Sequence, residues 1–375
     1  MDWTQTAAST LDNLITNRVR VPAFSILTGG RVVDLEERLI NLTITDNQAF
    51  EADTLTLTID DTAGDIALPA RGTELAVAIG WDHDALTFKG VFTVDEIGHE
   101  GPPDRITVTA RSADFREEFN VRREYSWHDC TVGDVVATIA GRYQLEPVVS
   151  ASLAGIAIDH ADQNQESDTS FLSRMADMLA AVTTIKNGSL LFIEPCSGTD
   201  PYGRPYPAIV ITRQSGDTHS FRLADRDAYT GVKAYWLDLD FGKKPRTTTR
   251  RKRRKKTNIK SSSREGEYTE GAEGNVYVLR TTYKSERAAR QAAYSKWQQL
   301  QRGAAEFSIT LAEGNADLYP GQFVTVTGFK EAVDNAAWVI SRLTHTLEPE
   351  RGFRTQLELE LRITGQEAET AETET

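Results

Sequence analysis

Strand periodicity begins after a leader of about twenty residues. In Leu39–Thr45 (LINLTIT), Ile40, Leu42 and Ile44 alternate with Asn41, Thr43 and Thr45, the period-two pattern of a half-buried antiparallel strand. Thr54–Asp60 (TLTLTID) repeats the pattern with Leu55, Leu57 and Ile59, and Glu74–Ile79 (ELAVAI), Gly90–Val94 (GVFTV) and Arg105–Ala110 (RITVTA) continue it. Turn signals stand between them: Asp60-Asp61, Pro69 to Gly72, and Gly101-Pro102-Pro103. The spacing predicts a β-meander or small barrel over residues 21–118.

The period changes near Trp127. Thr131 followed by Asp134 has the spacing of a capping arrangement, and Val132, Val135, Val136 and Ile139 then share one helical face. A second helix is predicted from Ser167, with Phe171, Leu172, Met175 and Leu179 as its buried stripe. Ala181–Ile193 reads as strand, Asn187-Gly188 turn, strand. Residues 119–220 are therefore expected to form an α+β insert. From 242 to 274 apolar residues almost vanish, which predicts a long flexible loop. A helix follows, capped by Ser285, with Ala288, Ala289, Ala292, Ala293, Trp297 and Leu300 on its apolar side and Gly303 at its end. Strand alternation returns at Phe307, Ile309 and Leu311 and at Leu357, Leu359 and Leu361, so 221–364 reads as a second β unit containing the 242–274 loop. Residues 365–375 read as a disordered acidic tail.

The two ends echo one another. LPARGTELAVAIGW (68–81) and LYPGQFVTVTGF (318–329) each hold a leucine, a Pro/Gly turn, an alternating strand, and a Gly-aromatic pair. That alignment matches Trp81 with Phe329 as core anchors. Downstream, Phe92, Val94, Ile97 and His99 are matched at identical spacing by Trp338, Ile340, Leu343 and His345, and the two histidines are expected to face similar environments. Two similar β units in one subunit would let a threefold assembly offer six quasi-equivalent surfaces.

Composition changes this picture little, but charge does. With 39% hydrophobic and 26% charged residues the chain is of ordinary globular character, and no stretch approaches the roughly 18 apolar residues of a membrane-spanning helix. The leader has neither the basic start nor the apolar block of a secretory signal, so a cytoplasmic origin is expected. Eleven of the basic residues are Lys243, Lys244, Arg246, Arg250, Arg251, Lys252, Arg253, Arg254, Lys255, Lys256 and Lys260. Removing those eleven charges from the net −13 leaves −24 on the rest. This run is a candidate contact for phosphate or for another acidic partner; the alternative is a solvated loop. A DNA-binding regulator is disfavoured, because no helix-turn-helix spacing accompanies the run and the acidic body repels DNA.

Catalytic chemistry finds no support. His128, Asp129 and Cys130 are contiguous, and neighbours on a strand point to opposite faces; helix capping and core packing are the expected roles. The six histidines, His83, His99, His128, His160, His219 and His345, show no metal-ligand spacing. No GxSxG, Walker A or strand-borne GxGxxG occurs, no local pattern selects a carboxylate pair for peptidoglycan cleavage, and no cofactor is implied. Cys130 and Cys196 are expected to be buried reduced thiols.

TARSADF (109–115), NVRREYSWHD (120–129), QNQESDTSFLSRMAD (163–177) and LQRGAAEFSITLAEGNADLYPGQFVTVTGF (300–329) closely resemble the late control D protein family of contractile-tailed bacteriophages, over roughly residues 22–364. The resemblance implies an α+β, β-dominated chain with two similar tube-like β-barrel domains flanking an α+β middle insert. It also implies a homotrimeric baseplate hub in the virion. Its expected partners are the hexameric tail tube protein, the trimeric membrane-piercing spike, other baseplate subunits, the tape-measure protein and transiting DNA, of which the last three are candidates for the basic run. The hub part of type VI secretion spike proteins is similar, which makes a secretion or tailocin-type hub the alternative.

Overall fold

The computed structural model describes residues 20–47, 52–112, 119, 121–186, 188–195, 204–207, 209–223, 229–237, 265–271, 274–283, 285–302 and 305–362. The leader up to residue 19, Cys196, the eleven basic residues from Lys243 to Lys260, and the acidic tail lie outside the described residues.

The N-terminal strands are β1 (Pro22–Thr28), β2 (Arg31–Val32), β3 (Leu39–Asn47), β4 (Thr54–Asp60), β5 (Glu74–Trp81), β6 (Thr87–Glu100) and β7 (Arg105–Arg111). Five of them form an antiparallel ladder in the order β5-β6-β7-β4-β3. β1 closes onto β5, and β2 hairpins onto β1. The alternating apolar positions supply the core: Leu42, Leu55, Val77, Ile79, Phe92 and Ile106 are all buried. Ile40 departs from the expected face. The β3–β4 register shifts between Leu39 and Asn41, so the bulge turns Ile40 outward and Leu39 inward.

The middle region comprises β8 (Arg122–Thr131), α1 (Val132–Arg142), β9 (Glu146–Val149), α2 (Ala151–Ala154), β10 (Ala157–Ser167), α3 (Asp168–Leu179), β11 (Val182–Lys186) and β12 (Ser189–Ile193). Thr131 and Asp134 cap α1 reciprocally, and the Ser167 hydroxyl accepts from the Ser170 N–H at the start of α3. The predicted stripes of both helices, Val132, Val135, Val136 and Ile139 with Phe171, Leu172 and Met175, meet in one separate core.

The remainder holds β13 (Ile209–Thr212), β14 (Gly216–Leu223), β15 (Gly231–Leu237), β16 (Glu265–Gly271), β17 (Val276–Tyr283), α4 (Glu286–Arg302), β18 (Ala305–Leu311), β19 (Phe323–Thr327), α5 (Glu331–Asp334), β20 (Trp338–Glu348) and β21 (Gly352–Leu361). Three expectations are corrected here. First, β13 and β14 join the large sheet, so the insert ends well before residue 220. Second, part of the expected flexible loop is β16, which pairs with β15. Its backbone satisfies its hydrogen bonds there, and Tyr268 packs against a small core that an apolar count would miss. Third, β15, β16, β17 and α4 make their own sheet-and-helix module around Val232, Ala234, Ala289 and Ala293, apart from the second ladder.

That second ladder runs β19-β20-β21-β18-β14 and is antiparallel throughout. It repeats β5-β6-β7-β4-β3 strand for strand. Val94 pairs with Ala110 and Ile340 with Leu359; Leu57 pairs with Val108 and Ile309 with Leu357; Ile44 pairs with Leu55 and Phe221 with Phe307. Bulges recur at the same rungs, between Val94 and Glu96 and between Ile340 and Arg342. The entry turns agree as well. The Gly72 N–H donates to the Val94 carbonyl at 2.8 Å and the Val94 N–H to Thr73 at 2.9 Å; Gly321 and Ile340 make the corresponding bonds at 2.8 and 3.0 Å. Gly72 and Gly321 both have left-handed backbone, φ 83° and 90°, where a side chain is disfavoured.

The register also corrects the string alignment. Leu75 pairs with Phe92 and Val324 with Trp338, so the first strands of the two units match one residue away from the Gly-aromatic match. Gly80 and Trp81 continue β5 against β1, whereas Gly328 turns the chain at φ 88° before Phe329. Trp81 and Phe329 are not equivalent, and both are only partly buried.

Candidate assembly interface

The two ladders form one continuous sheet because β20 has room for two neighbours on one edge. Its first residues pair with β19, Trp338 opposite Val324, while Arg342–Leu347 pair antiparallel with Asn47–Leu42 of β3. β21 occupies the other edge along the whole strand. On the core side of this seam Leu343, His345, Leu347, Ile44 and Leu42 are all buried. The Nδ1 of His345 lies 2.9 Å from the Thr355 hydroxyl, which accepts from the Asn315 N–H at 3.0 Å. Burial, reinforced by the Lys89 charge, holds His345 well below its ordinary pKa and therefore neutral.

A buried charge cluster sits at the end of the seam. Lys186, at the end of β11, pairs with Asp46 of β3 and, at 3.2 Å, with Asp53. Burial, then repulsion from Asp46, raises Asp53 to about 6. Burial opposes the charge on Lys186, but Asp46 and Asp53 outweigh it and raise its pKa. The middle region is thereby fixed to the first ladder at the seam. Lys89 of β6 reaches across to the second ladder, donating to the carbonyls of Ala316 and Leu318 at 3.2 Å each, 4.0 Å from the Tyr319 ring centroid. Burial pulls it down to about 8. Beside it, Trp81 donates from Nε1 to the Gly314 carbonyl at 2.9 Å and Thr87 to Asp317 at 2.7 Å, bordering a cleft of roughly 700 Å³ between the ladders.

Asp168 is a further buried carboxylate, in the middle region. It accepts from Arg142 (2.7 Å), the Tyr143 hydroxyl (2.6 Å) and Gln163 (2.8 Å). Burial raises its pKa, but those hydrogen bonds prevail and lower it. Periodicity gave no sign of Asp46, Asp53, Lys186, Lys89 or Asp168, because a charged residue at an element end looks the same in sequence whether solvated or enclosed. The capping position of Asp168, directly after Ser167, was the only available signal.

Of the residues singled out from sequence, Phe92 and Trp338 are equivalent and fully buried, and Trp338 Nε1 donates to Val333 at 2.9 Å. His99 and His345 share a ladder position but not an environment: His345 is buried, and the His99 side chain is 47% exposed. β3 covers His345, and no described strand covers His99 on that edge. His128 and Asp129 neither cap nor enter a core. Both are exposed, and His128 stacks on His160 with Nδ1 atoms 3.0 Å apart. Cys130 is partly buried rather than buried, with its thiol pKa raised by burial. Among the described residues no group of three or more His, Cys, Asp or Glu could hold a metal, and no helix is long and apolar enough to cross a membrane.

The duplicated ladders and the charged seam that joins them make one continuous sheet the framework of the chain. The family model for the phage tail baseplate hub (GPD) matches residues 48–350, and the chain belongs to that family. It is 47% identical over 364 residues to the probable baseplate hub protein of Escherichia phage 186, covering 91% of this chain and 93% of the relative. The probable baseplate hub protein of Escherichia phage P2 is 44% identical over 374 residues, covering 94% and 96%. A tail protein from Neisseria meningitidis MC58 shares the fold, with TM-score 0.65, 14% identity, and 91% and 96% of the two chains covered. The chain is thus a structural component of a phage tail baseplate and not an enzyme.

Proposed function

We propose that this hub protein is a homotrimeric adaptor. It joins a hexameric tail tube to a trimeric spike, and its repeated ladders serve as tube-like units around a channel through which DNA passes. The observation that carries this reading is the duplication, down to matching bulges and entry-turn hydrogen bonds, of one five-stranded ladder within a single chain. Three such chains present six similar units, which lets a threefold ring stack on a sixfold one. Assembly takes place in the host cytoplasm before the tail is completed. The basic run from Lys243 to Lys260 is proposed to meet an anionic neighbour, either the tape-measure protein, another baseplate subunit or DNA phosphate.

Particle averaging of the full-length chain with its tube protein tests the adaptor. A threefold ring seated on a sixfold tube is expected; a monomer, or a ring of other symmetry, with tube and spike proteins present would overturn it.

A further inference from the structure

We infer that a second copy of this chain adds its β14 to the unpaired half of β6, in the register that β3 adopts on β20 within the chain. The inference rests on the ring reading above and deepens it by naming the strands that form the joint between copies.

Both edges are available. β14 ends the large sheet and pairs only with β18 among the described residues. β6 is paired with β5 up to Thr93, and from Glu96 to Glu100 only with β7. In the other ladder the matching stretch of β20 is the part covered by β3. β14 is itself the ladder counterpart of β3: Ile44 and Phe221 occupy one rung, and Leu42 and His219 the next. Each copy therefore holds one completed seam and the two unpaired halves of a second.

Burial marks the missing partner position by position. Leu343 and His345 are fully buried, whereas their counterparts Ile97 and His99 are partly buried and exposed. Leu42 and Ile44 are fully buried, whereas His219 is exposed and Phe221 partly buried. Leu223, at the position of the buried Asp46, is 72% exposed. An unprotected edge carrying such apolar side chains is a template for strand addition.

The transferred register sets Ile97 opposite Leu223, Gly98 opposite Arg222, His99 opposite Phe221, and Glu100 opposite Ser220. The chemistry on both faces agrees. Leu223 and Phe221 meet Ile97 and His99 on the core side. On the outer side Arg222 lies over Gly98, which has no side chain to obstruct it, between the exposed Glu96 and Glu100. Diagonal cross-strand neighbours at this spacing are within reach of an arginine. The contact is heterologous, β14 to β6, so repetition closes a ring when the rotation allows.

Full-length chain carrying Ile97→Cys and Leu223→Cys tests the seam, because directly opposed residues lie within disulfide range. Oxidation is expected to give covalent trimers on a non-reducing gel, with none from either single variant. Trimers by sedimentation that fail to cross-link at this pair would overturn the seam and leave the adaptor standing. A chain that stays monomeric with tube and spike proteins present removes both. Cross-linking of Leu223→Cys to itself would replace this joint with a two-fold β14–β14 contact and also overturn it. Charge reversal is the second measurement. Arg222→Glu is expected to weaken assembly at least about tenfold, with recovery on adding Glu96→Arg and Glu100→Arg; unchanged assembly by Arg222→Glu would overturn the register.

Discussion

His345 and His99 occupy the same rung of two equivalent ladders, yet one is enclosed and the other is half in water. Their sequence surroundings do not account for this difference. It follows from the strand laid beside one of them, and it makes His345 a reporter of the seam.

Neutral His345 has a folded pKa far below that of the unfolded chain, so the unfolded state binds the extra proton. Its contribution to stability is present above about pH 6.5 and is lost as pH falls below that value. Chemical denaturation between pH 7.5 and 5 should show this loss, and His345→Leu should flatten it. An unchanged slope in the variant would show that His345 is not the group responsible.

Asp53 carries the opposite sign. Its pKa, raised to about 6, means that the folded protein takes up a proton more readily than the unfolded chain. Its unfavourable contribution is therefore full above about pH 6 and relieved as pH falls from 6 toward 4. Asp53→Asn should abolish the proton uptake that calorimetry in buffers of different ionisation heat detects near pH 6.

Asp168→Ala removes the acceptor shared by the partly buried Arg142 and Tyr143 hydroxyl and the buried Gln163. Loss of about 3 kcal/mol is expected, the range for breaking a buried ion pair by removing one partner. Hydrogen exchange should place the loosening in α1 and α3. Exchange unchanged there would contradict a structural role for this carboxylate.

Phe92→Ala and Trp338→Ala are expected to cost similar amounts, about 3–5 kcal/mol each, since both side chains fill the same place in equivalent cores. Trp81→Phe should cost only about 1 kcal/mol, the hydrogen bond to Gly314. A Trp81 variant as damaging as the other two would restore it to the core-anchor role that its partial burial denies.

Much of the fold was legible because its causes are local. Alternation in TLTLTID and ELAVAI marks strands whose one face is wet, and the Thr131–Asp134, Ser167 and Ser285 caps mark helix starts. The echo of Phe92–His99 in Trp338–His345 also survived at residue level, because bulge positions preserve spacing within a strand. What stayed hidden depends on remote partners. The outward turn of Ile40 needs the bulge against β4, and the polar strand β16 exists only because β15 offers it an edge. The enclosure of Lys186 by Asp46 and Asp53 joins segments that nothing in their own neighbourhoods connects.

The joint between β3 and β20 lies within one polypeptide. Folding alone brings those two edges together, at no expense in translational or rotational freedom of separate molecules. In the proposed ring of three copies, half of the sheet joints would thus be formed before any encounter occurs. Dilution can act only on the other half, so a dissociating baseplate should release these modules in covalently linked pairs and never singly.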